Sequence, residues 1–333
     1  MGKIIIFGAT GSVGPYTAIR LKELGYDVIA VGKRHSDNGF FKDYDIDYYS
    51  LDISNKDDFQ KLPKCGISQI INFAGAMPAH MRIYDPYQYI ETIIKGTLNI
   101  LEYMRKIGIN KIIFAQSIAD ILYLFGSKEP IEADVERRFP LTGDHSVYSI
   151  SKNTAVNLIE HYHYQYGFKR FVLRLPTIYL YHPDQYYYVD GVKKILGYRL
   201  LINKAIKGEP IDIWGDPKSA KELVYVKDFV QLVEKCVATN IDGGIYNVGT
   251  GIGVTMEDQV KGMIKVFSPK YKQSEIRYKP EMKSSPQFIL DISKSIKELG
   301  YKPIYNYLKY FEDFKNEMLR EPFAKLWGYK NNF

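Results

Sequence analysis

The chain has 333 residues, of which 46% are hydrophobic and 25% are charged, a composition that excludes disorder as the default state. The net charge of +7 is scattered, with no run of five or six basic residues, which argues against a nucleic-acid patch and suits small anionic ligands. No apolar run reaches the ~18 residues of a membrane span. The two cysteines are far apart and lack metal-like spacing, so we expect no metal site and a cytoplasmic protein.

Short apolar runs alternate with longer amphipathic stretches in the first half of the chain. Continuous runs rich in branched residues are typical of strands buried on both faces of a parallel sheet. The predicted strands are Ile4–Phe7, Val28–Val31, Ile46–Tyr49, Ile70–Phe73, Ile112–Ala115 and Phe171–Leu175. The predicted helices are Val13–Leu24, Lys56–Leu62, Pro86–Lys106 and Val147–Tyr166. This alternation predicts an α/β fold, a Rossmann-type doubly wound parallel sheet with helices on both faces.

The pattern changes after Leu175. Residues Thr177–Tyr198 are rich in Tyr, His, Pro and Asp without clear periodicity, and we predict a loop region there. The following elements are predicted as helix Leu200–Lys207, strand Ile211–Trp214, a strand and helix within Val224–Ala238, and strand Ile245–Val248. We therefore expect the Rossmann-type domain to comprise residues 1–176 and about 222–255, and a smaller C-terminal substrate-binding part to comprise about 177–221 and 256–333.

A glycine motif follows the first predicted strand and opens the first helix. A tight turn, a close approach of the backbone to a pyrophosphate and close packing of helix on strand each favour glycine. The helix N-terminus would then face the phosphates of a dinucleotide. The candidate cofactor residues in this motif are Gly8, Thr10, Gly11, Ser12, Val13 and Gly14.

The loop after the second predicted strand is basic. Its sequence is Gly32-Lys33-Arg34, at the point where an NAD site usually has a carboxylate for the adenosine ribose. Because two cations without a carboxylate suit a 2′-phosphate, Lys33 and Arg34 predict NADP as the cofactor, with NAD possible. The alternative is a solvated basic turn.

Two later strand ends extend the predicted cofactor site. One would cover the adenine, and the other has small residues that would let the cofactor lie close to the sheet. The residues concerned are Asp52, Ile53, Phe73, Ala74 and Gly75.

Tyr148 and Lys152 are four residues apart in a predicted helix, which places both side chains on one face. A tyrosine, with an ordinary pKa of about 10, needs a neighbouring cation to exchange protons near neutral pH, and Lys152 provides one. Ser117 would lie at the carboxyl edge of the sheet and donate a hydrogen bond to a substrate oxygen. Tyr305 and Lys309 have the same spacing, and we interpret that pair as a surface feature of a helix.

These motifs resemble the extended short-chain dehydrogenase/reductase family, in its NAD-dependent epimerase/dehydratase group of nucleotide-sugar enzymes. The resemblance runs over most of the chain, and further segments carry it: Arg174-Leu175-Pro176-Thr177-Ile178-Tyr179, Trp214-Gly215-Asp216, Leu223-Val224-Tyr225-Val226-Lys227-Asp228 and Tyr246-Asn247-Val248-Gly249-Thr250-Gly251. It implies hydride transfer with Tyr148 as the acid/base, Ser117 and Lys152 as the other catalytic residues, and Pro176 beside the cofactor.

Departures from the family pattern bear on the substrate. The family's strand-end Asn is Thr177 here, and its diphosphate-binding Arg is matched by Lys221, which keeps the charge but loses the bidentate fork. The Thr-Asp-Glu of the dehydratases is replaced by Ser117-Ile118-Ala119, so elimination of water is disfavoured. Beyond Gly75, His80 is a further candidate substrate contact, with a solvated loop as the alternative.

The resemblance leaves several functions open. We favour an NAD(P)-dependent oxidoreductase acting on a nucleotide-linked sugar, specifically a keto-sugar reductase, because a reductase must exchange NADPH and the basic loop suits it. The alternatives are a nucleotide-sugar epimerase with tightly bound NAD, a reductase of small aldehydes, ketones or steroid-like alcohols, and a non-catalytic NADP-sensing regulator. A sensor needs no acid/base pair, so Ser117, Tyr148 and Lys152 argue against it.

We also expect a homodimer through helices Pro86–Lys106 and Val147–Tyr166.

Overall fold

The computed structural model describes residues 2–143, 145–189 and 191–328. The strands are β1 (Lys3–Phe7), β2 (Val28–Gly32), β3 (Asp47–Ser50), β4 (Ile67–Asn72), β5 (Lys111–Ser117), β6 (Lys169–Leu175), β7 (Ile178–Tyr179), β8 (Tyr186–Val189), β9 (Val192–Ile195), β10 (Ile211–Trp214), β11 (Ala220–Glu222), β12 (Val224–Tyr225), β13 (Gly243–Asn247), β14 (Gly253–Thr255) and β15 (Ile276–Lys279). The α-helices are α1 (Gly14–Glu23), α2 (Pro86–Tyr89), α3 (Gly96–Ile107), α4 (His145–Tyr166), α5 (Gly197–Lys207), α6 (Val226–Ala238), α7 (Met256–Phe267), α8 (Ser293–Leu299), α9 (Tyr307–Arg320) and α10 (Ala324–Trp327).

A seven-stranded parallel sheet forms the centre of the molecule, in the order β13-β6-β5-β4-β1-β2-β3. The strand order reverses direction between β4 and β1, which is the switch point of a doubly wound fold. Ligands of such sheets bind at this point, outside the carboxyl ends of the strands. The predicted Rossmann-type fold is confirmed, and strand β13 returns to the sheet late in the chain as predicted.

Strand β1 shows why the central strands are continuously apolar. Ile4 and Ile6 lie in one buried cluster with residues of α1 and α6, whereas Ile5 and Phe7 lie in another with residues of α3 and α4. All four side chains are fully buried, and burying a side chain of this size contributes about 1.5–3 kcal/mol. Helices therefore cover both faces of the sheet.

The prediction of a loop over Thr177–Tyr198 is wrong. The segment contains the short strand β7 and an antiparallel hairpin of β8 and β9, and α5 begins at Gly197. Tyrosine favours strands but has both apolar and polar character, so three consecutive tyrosines hide the alternation that marks a strand. Within the hairpin the ammonium of Lys193 lies 4.0 Å from the ring centre of Tyr186, a cation–π contact.

Two predicted helices differ from regular α-helix. Residues Lys56–Lys61 form a 3₁₀ helix, and a π-helical turn at Ile90–Lys95 separates α2 from α3. The π turn lies beside the carboxyl edge of the sheet: a Cβ at Gly75 would approach Ile93 to 3.1 Å, and one at Gly96 would meet Ile53 at 2.6 Å. π turns often accompany functional sites, which agrees with this position.

The remaining elements pack beside one end of the sheet. Strand β10 pairs with β15, β11 pairs with β14, and α7 packs between α5 and α9. The final helix α10 returns to the first part of the chain. Within the ranges that the structure describes, no helix combines the length and apolar character needed to cross a bilayer.

Candidate active site

The glycine turn after β1 lies against the end of β4. Gly8 has a φ of +80°, and a Cβ there would come within 2.7 Å of the Ala74 nitrogen. A Cβ at Gly14 would come within 2.4 Å of the Gly8 oxygen, so internal packing requires glycine at both positions. A Cβ at Gly11 would approach only the Gly8 oxygen, at 3.2 Å, which leaves the outer face of the turn open. This cradle fits a dinucleotide pyrophosphate, with Thr10, Ser12 and Val13 in the same turn.

The other predicted cofactor residues lie at neighbouring strand ends of the same edge. Ile53 is buried against α3, and the Ala74 N–H donates to the Asn72 side chain at 3.0 Å. Asp52 accepts hydrogen bonds from Ser54. Although partial burial opposes the shift, bonds from Lys33 and Ser54 hold the pKa of Asp52 below its ordinary value.

Both cations of the basic loop have partners within the protein. The Lys33 ammonium lies 2.7 Å from the Asp52 carboxylate. The Arg34 guanidinium donates to the Leu326 carbonyl oxygen at 2.6 Å. The NADP preference was predicted from two cations with no carboxylate beside them, and it stays a prediction. These two contacts weigh against it, because a 2′-phosphate would have to compete with them.

The three predicted catalytic residues meet at the ends of β5 and α4. Tyr148 is 8% exposed, and burial raises its phenol pKa while a side-chain hydrogen bond from Ser117 lowers it in part. The Lys152 ammonium donates to the Ala115 carbonyl oxygen at 2.7 Å, and burial lowers its pKa to about 8. It also lies 4.0 Å from where a Cβ of Gly75 would be, so it faces the predicted cofactor site. Tyr148 and Lys152 lie one helical turn apart in α4, and burial disfavours the charged form of both side chains.

A polar network that the sequence did not predict supports these residues. The Gln116 side-chain oxygen accepts the Ser117 N–H at 2.9 Å. Asn153 accepts from the Gln116 amide at 3.5 Å and from the Arg137 guanidinium at 3.2 Å. Gln116 precedes Ser117 and Asn153 follows Lys152 in the sequence. This adjacency was the only sequence signal that could have indicated the network. The aromatic ring of Tyr89 also packs edge-on to Tyr148, with 5.7 Å between ring centres.

A buried ion pair anchors the turn that follows Ser117. Arg174, at 0% exposure, donates to both carboxylate oxygens of Asp120, and also to the Ala133 carbonyl and the Asn247 side chain. Within residues 117–121 Asp120 is the only carboxylate, and this pairing commits it to the scaffold. Ala119 is buried and has no acid or base. Residues 117–121 therefore offer no unpaired carboxylate.

We expect Asp120→Ala to lower the free energy of unfolding by about 3–5 kcal/mol, because it leaves the Arg174 charge buried and unpaired. Urea denaturation followed by circular dichroism measures this change. The matched control is Asp134→Ala, which breaks a surface ion pair with Lys294 and should cost at most about 1 kcal/mol. A loss for Asp120→Ala no larger than the loss for the control would contradict the assigned role.

Of the predicted substrate residues, Ser117 belongs to the catalytic cluster, and Thr177, His80 and Lys221 lie on other segments. Thr177 is exposed just after β6, next to Pro176, which is buried and was predicted to contact the cofactor. His80 is exposed on a 3₁₀ helix at Pro78–His80. Lys221 lies on β11, and burial lowers its pKa. In the part of the chain that the structure describes, no ion pair joins Lys221 to a carboxylate. Among the same residues no group of three or more metal-binding side chains occurs.

Comparison with known proteins agrees with this geometry. The model of the NAD dependent epimerase/dehydratase family matches residues 4–249. The chain belongs to this family. The predicted family membership is thereby confirmed. The prediction of an NAD-dependent family of nucleotide-sugar enzymes is confirmed with it.

Individual relatives are similar over nearly the whole chain. A putative UDP-glucose 4-epimerase of Methanocaldococcus jannaschii is 27% identical over 302 residues, covering 90% of this chain and 93% of the relative. A UDP-glucuronate 4-epimerase of Thermodesulfobacterium geofontis is 25% identical, with 91% and 92% covered. The crystal structure of a Thermotoga maritima UDP-glucose 4-epimerase with UDP-glucose superposes with a TM-score of 0.76 at 22% identity, covering 96% and 99%.

Proposed function

We propose that this family member is a UDP-sugar 4-epimerase that keeps a tightly bound NAD. The observation that carries the proposal is the assembly of Ser117, Tyr148 and Lys152 at the sheet edge that also holds the glycine turn. Two relatives with similarity along most of the chain are named as 4-epimerases of UDP-sugars, which supports the same reaction.

The chain's own residues account for the proton transfers of an epimerisation. The Tyr148 phenolate takes the proton from the sugar hydroxyl that is oxidised, and the phenol so formed returns it to the same oxygen after the ring has presented its other face. Ser117 donates a hydrogen bond to that oxygen and keeps it in line with Tyr148. The Lys152 ammonium stabilises the phenolate before the first transfer and after the second. A bound nicotinamide supplies the acceptor and donor of the hydride.

We propose that Lys221 binds the substrate diphosphate. Lys221 is half-buried on β11, and burial disfavours its charge. An anionic diphosphate would supply the counter-charge that this position lacks. Thr177 and His80 are proposed as further substrate contacts. The residues at about 177–221 and 256–333 form the substrate-binding part under this proposal.

The keto-sugar reductase favoured from the sequence is the second candidate. Its main support was the need to exchange NADPH at a basic loop, and the contacts of Lys33 and Arg34 weaken that support. We therefore propose NAD as the resident cofactor.

A panel of UDP-sugars and keto-sugar nucleotides, each incubated with and without added NAD(P)H and analysed by anion-exchange chromatography, tests this choice. Conversion of UDP-glucose or UDP-glucuronate to its 4-epimer without added cofactor is the expected result. Stoichiometric oxidation of NADPH with a keto-sugar would instead establish the reductase.

We also propose a homodimer formed through α3 and α4 and the helical turns before α3. Apolar side chains remain exposed there, among them Ile90 at 44% and Ile150 at 40%. Exposed apolar groups on adjacent helices mark interaction surfaces. Light scattering at micromolar concentration should give twice the monomer mass of 38.5 kDa. A monomer mass, or an unchanged dimer in an Ile90→Lys/Ile150→Lys variant, would contradict this interface.

A further inference from the structure

The last described segment of the chain, residues 322–328, returns from α9 to the glycine turn, and we call it the C-terminal strap. The indole N–H of Trp327 donates to the Thr10 carbonyl oxygen at 3.2 Å. The adjacent residue, Leu326, accepts the Arg34 guanidinium on its carbonyl oxygen at 2.6 Å. The strap thus contacts both the glycine turn and the loop after β2.

Further contacts fix the strap on the same two elements. The Phe323 ring lies 4.4 Å from the Tyr16 ring, in the first turn of α1, and 5.8 Å from the Phe40 ring, beyond β2. Phe323 and Leu326 are 5% and 2% exposed, so the strap is packed and not merely adjacent.

Polar bonds add to this packing. Asn38 donates its side-chain amide to the Lys325 carbonyl oxygen at 3.0 Å, and the Lys325 ammonium pairs with Asp43 at 2.6 Å. Asn38 lies in the loop after β2, and Asp43 lies in the 3₁₀ helix Phe41–Tyr44 that follows this loop. The strap therefore crosslinks this loop to the glycine turn and α1.

The two crosslinked elements are the walls of one end of the cofactor site. In a Rossmann-type sheet the glycine turn faces the pyrophosphate, and the end of the second strand faces the adenosine ribose. Separating these walls requires breaking the bonds of Trp327 and Arg34 and exposing Phe323 and Leu326. An epimerase regenerates its cofactor in each cycle and has no need to release it, so closure here is compatible with turnover.

We propose that the C-terminal strap closes the ribose end of the cofactor site and thereby slows the exchange of bound dinucleotide. The inference rests on the proposed function, because it requires a nicotinamide dinucleotide at this edge of the sheet. It assigns to Trp327 and Arg34 a retaining role that is separate from proton transfer by Tyr148.

The exchange rate of the bound dinucleotide tests the proposal without any measurement of turnover. Full-length protein is loaded with NAD, mixed with excess isotope-labelled NAD, and desalted at intervals, and the bound dinucleotide is weighed by mass spectrometry. We expect Trp327→Ala to exchange at least tenfold faster than wild type. Trp327→Phe, which keeps the ring but loses the N–H donor, should exchange about threefold faster, as expected for one hydrogen bond.

Leu319→Ala is the matched control, because Leu319 lies on α9 and is 77% exposed. Its exchange rate should equal that of wild type. An unchanged exchange rate in both Trp327 variants would overturn the strap's role. If Trp327→Ala does not fold, an unchanged exchange rate in Trp327→Phe alone overturns it. Rapid exchange in wild type would overturn it as well. Failure of wild type to bind either NAD or NADP would overturn the proposed function itself.

Discussion

Tyr148→Phe should lower the turnover number by about 10²–10⁴-fold and leave the bound dinucleotide in place. The phenol hydroxyl transfers the proton, whereas the ring alone maintains the packing against Tyr89 and the burial at the end of α4. Chromatographic rates with UDP-sugars measure the loss, and the absorbance of dinucleotide released from denatured protein measures occupancy.

Tyr164→Phe serves as the matched control for this change. Tyr164 lies on the same helix and is 81% exposed, so its loss should leave the rate unchanged. If Tyr148→Phe retained turnover within a few-fold of wild type, Tyr148 would not be the proton-transfer residue. A simultaneous loss of bound dinucleotide would show that Tyr148 holds the cofactor instead.

Lys152→Met should have a comparably large effect, because it removes both a cation one helical turn from Tyr148 and a group that faces the predicted cofactor site. We expect the turnover number to fall at least 10²-fold and dinucleotide occupancy to fall with it. Lys309→Met is the control: this lysine belongs to the second Tyr-x-x-x-Lys pair, where its ammonium lies 4.7 Å from the Tyr305 ring centre. Full occupancy in Lys152→Met would contradict a role in binding.

The same substitution should stabilise protein that has been stripped of cofactor. Burial lowers the pKa of Lys152 from 10.5 to about 8, so between these pH values the unfolded chain binds more protons than the folded one. Below about pH 8 the buried charge of Lys152 therefore lowers the free energy of unfolding. This loss disappears as the pH rises to about 10.5. Lys152→Met should raise the free energy of unfolding by ~1–3 kcal/mol at pH 7 and by little near pH 10.5, after allowance for the lost bond to Ala115. Equal stability of the two proteins at pH 7 would contradict this account.

The strands, and the proximity of Ser117 to Tyr148, could be predicted from the sequence because local patterns encode them. Continuous apolar runs identify strands buried on both faces, and the parallel direction then brings Gly8, Asp52, Gly75, Ser117 and Thr177 to one edge. The tyrosine-rich hairpin was missed because tyrosine obscures the alternation on which strand prediction depends.

The contacts of the basic loop and the glycine turn could not be predicted from the sequence. Their partners are distant in the chain or are backbone groups, which no residue type identifies. Arg34 binds a backbone carbonyl, which any residue at position 326 would provide. Trp327 contacts a turn 317 residues earlier in the chain. Residues beyond 256 were assigned to substrate binding alone, so nothing in the sequence indicated that the last turn of the chain reaches the predicted cofactor edge.

Solvent exchange at the reacting carbon tests the central proposal most directly. UDP-glucose is incubated with the purified protein in D₂O, without added cofactor, and the sugar C4 position is followed by proton NMR. Formation of the 4-epimer with hydrogen retained at C4 is the predicted result, because the hydride leaves and returns inside a closed site while only the hydroxyl proton passes through Tyr148. Deuterium at C4, or no 4-epimer from either UDP-glucose or UDP-glucuronate, would contradict the proposed function.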